Sequence, residues 1–87
     1  MLTRRVDPRD IVWEEDRAVY RVYFWDTAAR RSHEYEVTDV DVDEVLDWTR
    51  ERAAGQGWVY TVYAKVTGQG DGPGLVRLCG VAGDPFP

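Results

Sequence analysis

Three places in the chain hold residue types that do chemistry in other settings. They are the acidic run DVDVDE at residues 39–44, the lone pair of His33 and Cys79, and the glycine-rich stretch GQGDGPG at residues 68–74. The acidic run places Asp39, Asp41 and Asp43 at the spacing of the first three carboxylates of a calcium-binding EF-hand loop. The sixth position, which needs glycine for the sharp turn, is Glu44, and the twelfth, which needs a bidentate glutamate, is Arg50. The loop cannot turn or close on calcium in that way, and no metal site is expected. Acids at the start of a helix, interacting with its dipole, explain the run more simply.

His33 is the only imidazole and Cys79 the only thiol. Strand parity puts them on opposite faces of a sheet, which argues against a nucleophile–base pair. The glycine-rich stretch has no lysine at a phosphate-loop position and leads into a strand, so it lacks the helix dipole that phosphate loops use. It reads as a hairpin loop. No catalytic residue and no cofactor are expected, and the chain reads as a non-enzyme.

The bulk properties narrow the partners. Eighty-seven residues suffice for one small domain, with residues 1–9 and 82–87 expected to be irregular termini. A net charge of −5 argues against nucleic acid as a partner, because phosphate-backbone affinity rests on clustered lysine and arginine. Seven acids and no basic residue lie between Glu34 and Asp47, which suggests an acidic decoy for a basic protein as one alternative function. No apolar run approaches the roughly 20 residues that span a bilayer, and the arginines near the start are followed by no apolar stretch of signal-peptide type. With a single cysteine besides, the chain is expected in the cytoplasm with no membrane contact.

The elements that position these groups follow from periodicity. DIVWE and RAVYRVYFWD read as two strands, about 10–14 and 17–26, joined as a hairpin through Glu15 and Asp16. A third strand lies at SHEYEVT, where His33, Tyr35 and Val37 alternate with Ser32, Glu34 and Glu36. The period then changes to that of a helix over about 41–57, with Val42, Val45, Leu46, Thr49 and Ala53 on one stripe and Trp48 at its margin. Asp41 is its expected N-cap, Arg50 and Arg52 its last turn, and Gly55 or Gly57 its stop. Strands at WVYTVYAKVT and LVRLCGV complete the order βββαββ: an α+β fold with a mostly antiparallel five-stranded sheet and one helix packed on one face.

Parity assigns Tyr20, Val22 and Phe24 to the helix-covered core. The opposite face then carries Arg21, Tyr23, Trp25, Tyr63, Lys65 and Arg77 among Glu34 and Glu36. Tyr, Trp and Arg are enriched at binding hot spots, so these six residues form the candidate interaction face. The expected function is a small protein-interaction module, either a homodimer or the docking surface for another protein. A small-ligand module using the aromatic face or a groove beside the helix is the other alternative.

Overall fold

A computed structural model of the chain describes residues 1–11, 16–67 and 72–86. Its described strands are four: β1 (Val19–Asp26), β2 (Arg31–Val37), β3 (Val59–Thr67) and β4 (Pro73–Gly80), with one helix, α1 (Val42–Gln56), between β2 and β3. The sheet order is β2-β1-β3-β4 and every pair is antiparallel. The fold is therefore α+β with an antiparallel sheet, but its order is ββαββ on four strands and not the expected βββαββ on five.

The correction has a physical cause. β1 is an inner strand whose residues from Tyr20 to Trp25 pair with β2 on one side and β3 on the other. A further strand hairpinned onto it would need an edge that is already taken. Of the expected strand at 10–14, Asp10 ends a 3-10 turn spanning Pro8–Asp10 and Ile11 is exposed; the rest lies outside the described residues. Residues 1–11 are exposed throughout and form an arm whose only local order is the turn at Pro8, held by Asp7 accepting from the Arg9 backbone N–H at 3.0 Å. The radius of gyration is 15.3 Å, against about 12 Å for a compact chain of this length.

The tight turn from β1 to β2 is carried by Arg30 in the left-handed region, at φ 54°, and by Asp26, whose carboxylate accepts from the Ala29 N–H at 3.1 Å. α1 then connects β2 to β3, two strands that run the same way on either side of β1. Asp41 is its N-cap residue by backbone geometry but makes no side-chain capping bond. The helix ends at Gly57, which takes the left-handed conformation that glycine adopts without steric cost, and runs one turn past Arg50 and Arg52.

The helix stripe meets the parity-assigned face as expected. Val45, Thr49 and Ala53 are buried against β1 and β3, where Tyr20, Val22, Phe24 and Val62 close the core. Phe24 is its centre, with its ring 5.8 Å from Tyr35, 5.5 Å from Trp48 and 5.8 Å from Trp58. Arg52 caps this cluster from outside: its guanidinium lies 5.1 Å from the Tyr35 ring and donates to the Tyr35 hydroxyl at 2.9 Å. A single aromatic cluster thus ties α1 to β2 and β1, a concentration of apolar area that a domain of this size needs.

Candidate functional site

The strand registers place the six candidate residues on one face. Arg21 lies opposite Glu36 on β2 and Tyr63 on β3, Tyr63 opposite Arg77 on β4, and Lys65 opposite Val19 and Leu75. Tyr23 and Trp25 follow on the same side of β1. The face opens with a charge network in which Glu36 accepts from Arg21 at 3.3 Å and from Lys65 at 3.2 Å. The Lys65 ammonium, then the Arg21 guanidinium, hold the Glu36 carboxyl below the usual glutamate range, and Glu36 in turn raises Arg21. These groups are solvent-accessible, so their contribution to stability is small. Beside them, the Tyr23 ring lies 5.1 Å from Tyr63 and 5.8 Å from Trp25.

Trp25 departs from the rest of the set. It keeps the expected face but is only 6% exposed, because the chain after β4 folds back over it. Its indole N–H donates to Thr61 Oγ1 at 3.0 Å, and the Thr61 hydroxyl donates to the Val81 carbonyl at 2.7 Å. The Val81 N–H returns to the Tyr60 carbonyl at 2.9 Å, and Phe86 packs edge-on against Trp25 at 5.7 Å. The tail, expected only as an irregular terminus, is thus a small cover over one end of this face, fastened by the buried Trp25–Thr61–Val81 relay. The one sequence signal for it is Gly80, whose φ of 91° redirects the chain and whose Cβ position would fall 2.9 Å from Thr61 Cα.

β4 also corrects the reading of the thiol. A bulge between Val62 and Tyr63 sets Val62 opposite Cys79 but Tyr63 opposite Arg77, so the extra residue Leu78 moves Cys79 to the helix side. His33 and Cys79 consequently share a face, where parity had separated them. They sit on the two outer strands, with β1 and β3 between, which keeps them roughly 14 Å apart at ordinary strand spacing. His33 stacks on Trp58 at 4.6 Å and Cys79 packs at the core margin. Neither is placed for nucleophilic catalysis on the other.

The acidic run is partly engaged. Arg17 donates to the Asp39 carboxylate at 2.7 Å and lies 3.9 Å from that of Asp41. Among the described residues no group of three or more metal-type side chains stands together. Residues 68–71 of the glycine-rich stretch lie outside the described residues, and β4 takes up Pro73 and Gly74. No described helix is long and apolar enough to cross a membrane.

Two further features complete the surface, the first at the helix-side location that the small-ligand alternative named and the second not read from the sequence. One is a groove of about 480 Å³ between β2 and the first half of α1, walled by Tyr35, Val37, Val40, Val45 and Trp48 with Glu36 and Glu44 among its lining residues. It arises because α1 lies over β1 and β3 and leaves the helix side of β2 less covered. The other is the outer edge of β4. Leu75 is 41% exposed, Val76 49% and Leu78 45%, and Arg77 is the only charged residue on this eight-residue strand. β2, the opposite edge, carries Arg31, Glu34 and Glu36. Charged side chains are the usual guard of an edge against pairing with other chains, and β4 nearly lacks them.

No protein-family model matches the chain, and searches of curated proteins and of solved structures find no significant match.

Proposed function

We propose that the chain is a cytoplasmic, non-enzymatic protein-interaction module that works as a homodimer. Its interface is the outer edge of β4 with the adjoining strip of the sheet face, Tyr63, Lys65, Leu75 and Arg77. The observation that carries this reading is the sparsely charged, apolar edge itself: eight residues of strand, exposed except at Cys79 and without a further partner strand among the described residues, with apolar side chains on both sides of the sheet. Antiparallel pairing of β4 with its own copy needs only a twofold axis perpendicular to the sheet. The same patch then meets itself, and both helices stay on one side of a continuous sheet.

The candidate face contributes unequally to this interface. Arg77 lies on β4 and Tyr63 opposite it on β3, whereas Trp25 lies under the tail and Arg21 is tied to Glu36. Sedimentation across a concentration series tests the reading. The native chain is expected to be dimeric, and Val76→Lys and Leu78→Lys should each yield a folded monomer because they place charge at the paired edge. A native chain that stays monomeric at about 100 μM, a concentration that would populate even weak dimers, would overturn the proposal and favour the small-ligand alternative.

A further inference from the structure

The groove beside β2 and the N-terminal arm fit one another. We infer that the groove is a docking site for an extended segment bearing apolar and arginine side chains, and that its occupant is this chain's own residues 1–6, folding back in cis. The inference does not depend on pairing at β4, which lies at the opposite edge of the sheet.

The groove has the features that such a segment requires. Val37, Val40, Val45 and Trp48 make an apolar floor, and one wall is β2, whose outer edge has no partner strand among the described residues. An extended segment laid along such an edge gains main-chain hydrogen bonds while its alternate side chains enter the pocket. Glu44 supplies negative charge at the rim, and among the described residues it has no ion-pair partner. A segment combining apolar side chains with a cation complements both.

Residues 1–6, MLTRRV, have that composition. Leu2 and Val6 fall on one strand parity with Arg4 between them, so an extended arm would set two apolar side chains into the groove and one guanidinium at its acidic rim. All six are exposed in the structure, including the apolar Met1, Leu2 and Val6, so none of them is already committed to another contact surface. The arm also leaves the body at the right place. Arg17 is bound to Asp39 and Asp41, and Tyr20 lies opposite Val37, so the chain before β1 emerges beside the Val37–Val40 end of the groove. From Arg17 back to Val6 the chain can span roughly 35 Å when extended, more than enough to return along β2.

Paramagnetic broadening in the full chain tests this. A nitroxide is attached at Thr3→Cys, whose parity points away from the groove, in a Cys79→Ala background checked for folding by circular dichroism. The amides of Val40, Glu44 and Trp48 should lose about twofold or more in intensity relative to those of Leu75 and Val76, and about 0.5 M salt should restore much of it by screening the exposed charges. Arg4→Glu with Arg5→Glu should relieve the broadening without touching the folded body, as should Glu44→Lys. No selective broadening, or equal broadening over the whole surface, would overturn the inference. In a mixture of spin-labelled chain with isotopically labelled chain lacking the nitroxide, broadening of the latter would show that a second copy is the occupant and would overturn closure in cis.

Discussion

Replacing Thr61 by valine keeps shape and removes one hydroxyl, and that hydroxyl holds the tail to the sheet. Thr61 is fully buried; its Oγ1 accepts from Trp25 Nε1 at 3.0 Å and donates to the Val81 carbonyl at 2.7 Å. In Thr61→Val the indole N–H stays buried without a partner, which costs about 1–3 kcal/mol. The Val81 carbonyl sits nearer the surface and can turn to water, so its loss is that of an ordinary hydrogen bond, about 0.5–1.5 kcal/mol. Together they give about 1.5–4.5 kcal/mol, which for a domain of this size lowers Tm by roughly 6 °C or more. Thermal unfolding followed by circular dichroism measures it, with Trp25→Phe as the second arm of a double-mutant cycle. With Trp25 already phenylalanine, the indole donor is gone, and Thr61→Val should then cost less by about 1 kcal/mol or more. A Tm within about 2 °C of the native value, well inside the effect of a single kcal/mol, would refute the relay, as would strict additivity of the two substitutions.

Other outcomes follow from the same geometry. Gly80→Ala should destabilise more than Thr61→Val, because its Cβ must enter the left-handed region against the Tyr60 and Thr61 backbone, and the loss should appear in the chemical-denaturation midpoint. Thr49→Val should raise stability by about 0.5–2 kcal/mol, since Thr49 Oγ1 is buried without a hydrogen-bond partner among the described residues and valine has the same shape and helix propensity. Asp41→Ala should cost less than about 0.5 kcal/mol in a urea titration, below the usual loss for an N-cap, because the Asp41 side chain makes no capping bond. Glu36, held below the ordinary glutamate range, contributes stability that is present above that range and lost as pH falls through its lowered value. An NMR titration of its carboxyl should show the lowered midpoint, and Lys65→Gln should move it back up.

What was legible in the sequence was whatever depends on period. Alternation in YRVYFWD placed Tyr20, Val22 and Phe24 on the core side and Arg21, Tyr23 and Trp25 on the other, and the helical stripe through Val45, Thr49 and Ala53 found its core. What was not legible depends on pairing between distant segments. The strand expected at 10–14 has a strand-like composition, but nothing local reveals that β1 is flanked on both sides. The parity of Cys79 failed at a single extra residue, since a bulge moves every later side chain of that strand to the other face. Trp25 was placed on the correct face and yet is buried, because its cover comes from Phe86, sixty-one positions further along.

The same distinction bears on what kind of partner β4 can take. A free strand edge offers main-chain hydrogen bonds to any extended segment, so the edge alone does not choose. The side chains choose: Leu75 lies on the open face with Arg77, Val76 on the helix face opposite Ala64, and Leu78 at the bulge. A partner that covers only one side of the sheet leaves one of these apolar groups in water. A narrow peptide would satisfy the backbone and still gain little from Leu75 or Val76, depending on which way it lay. A second copy related by an axis perpendicular to the sheet brings its own Leu75 to the open side and its own Val76 to the helix side, and covers both at once. Reducing both residues to alanine together should therefore weaken association by more than either alone, while the isolated β4 peptide should compete poorly for the folded chain; efficient competition by that peptide would mean that the edge, and not the flanking apolar side chains, supplies the affinity.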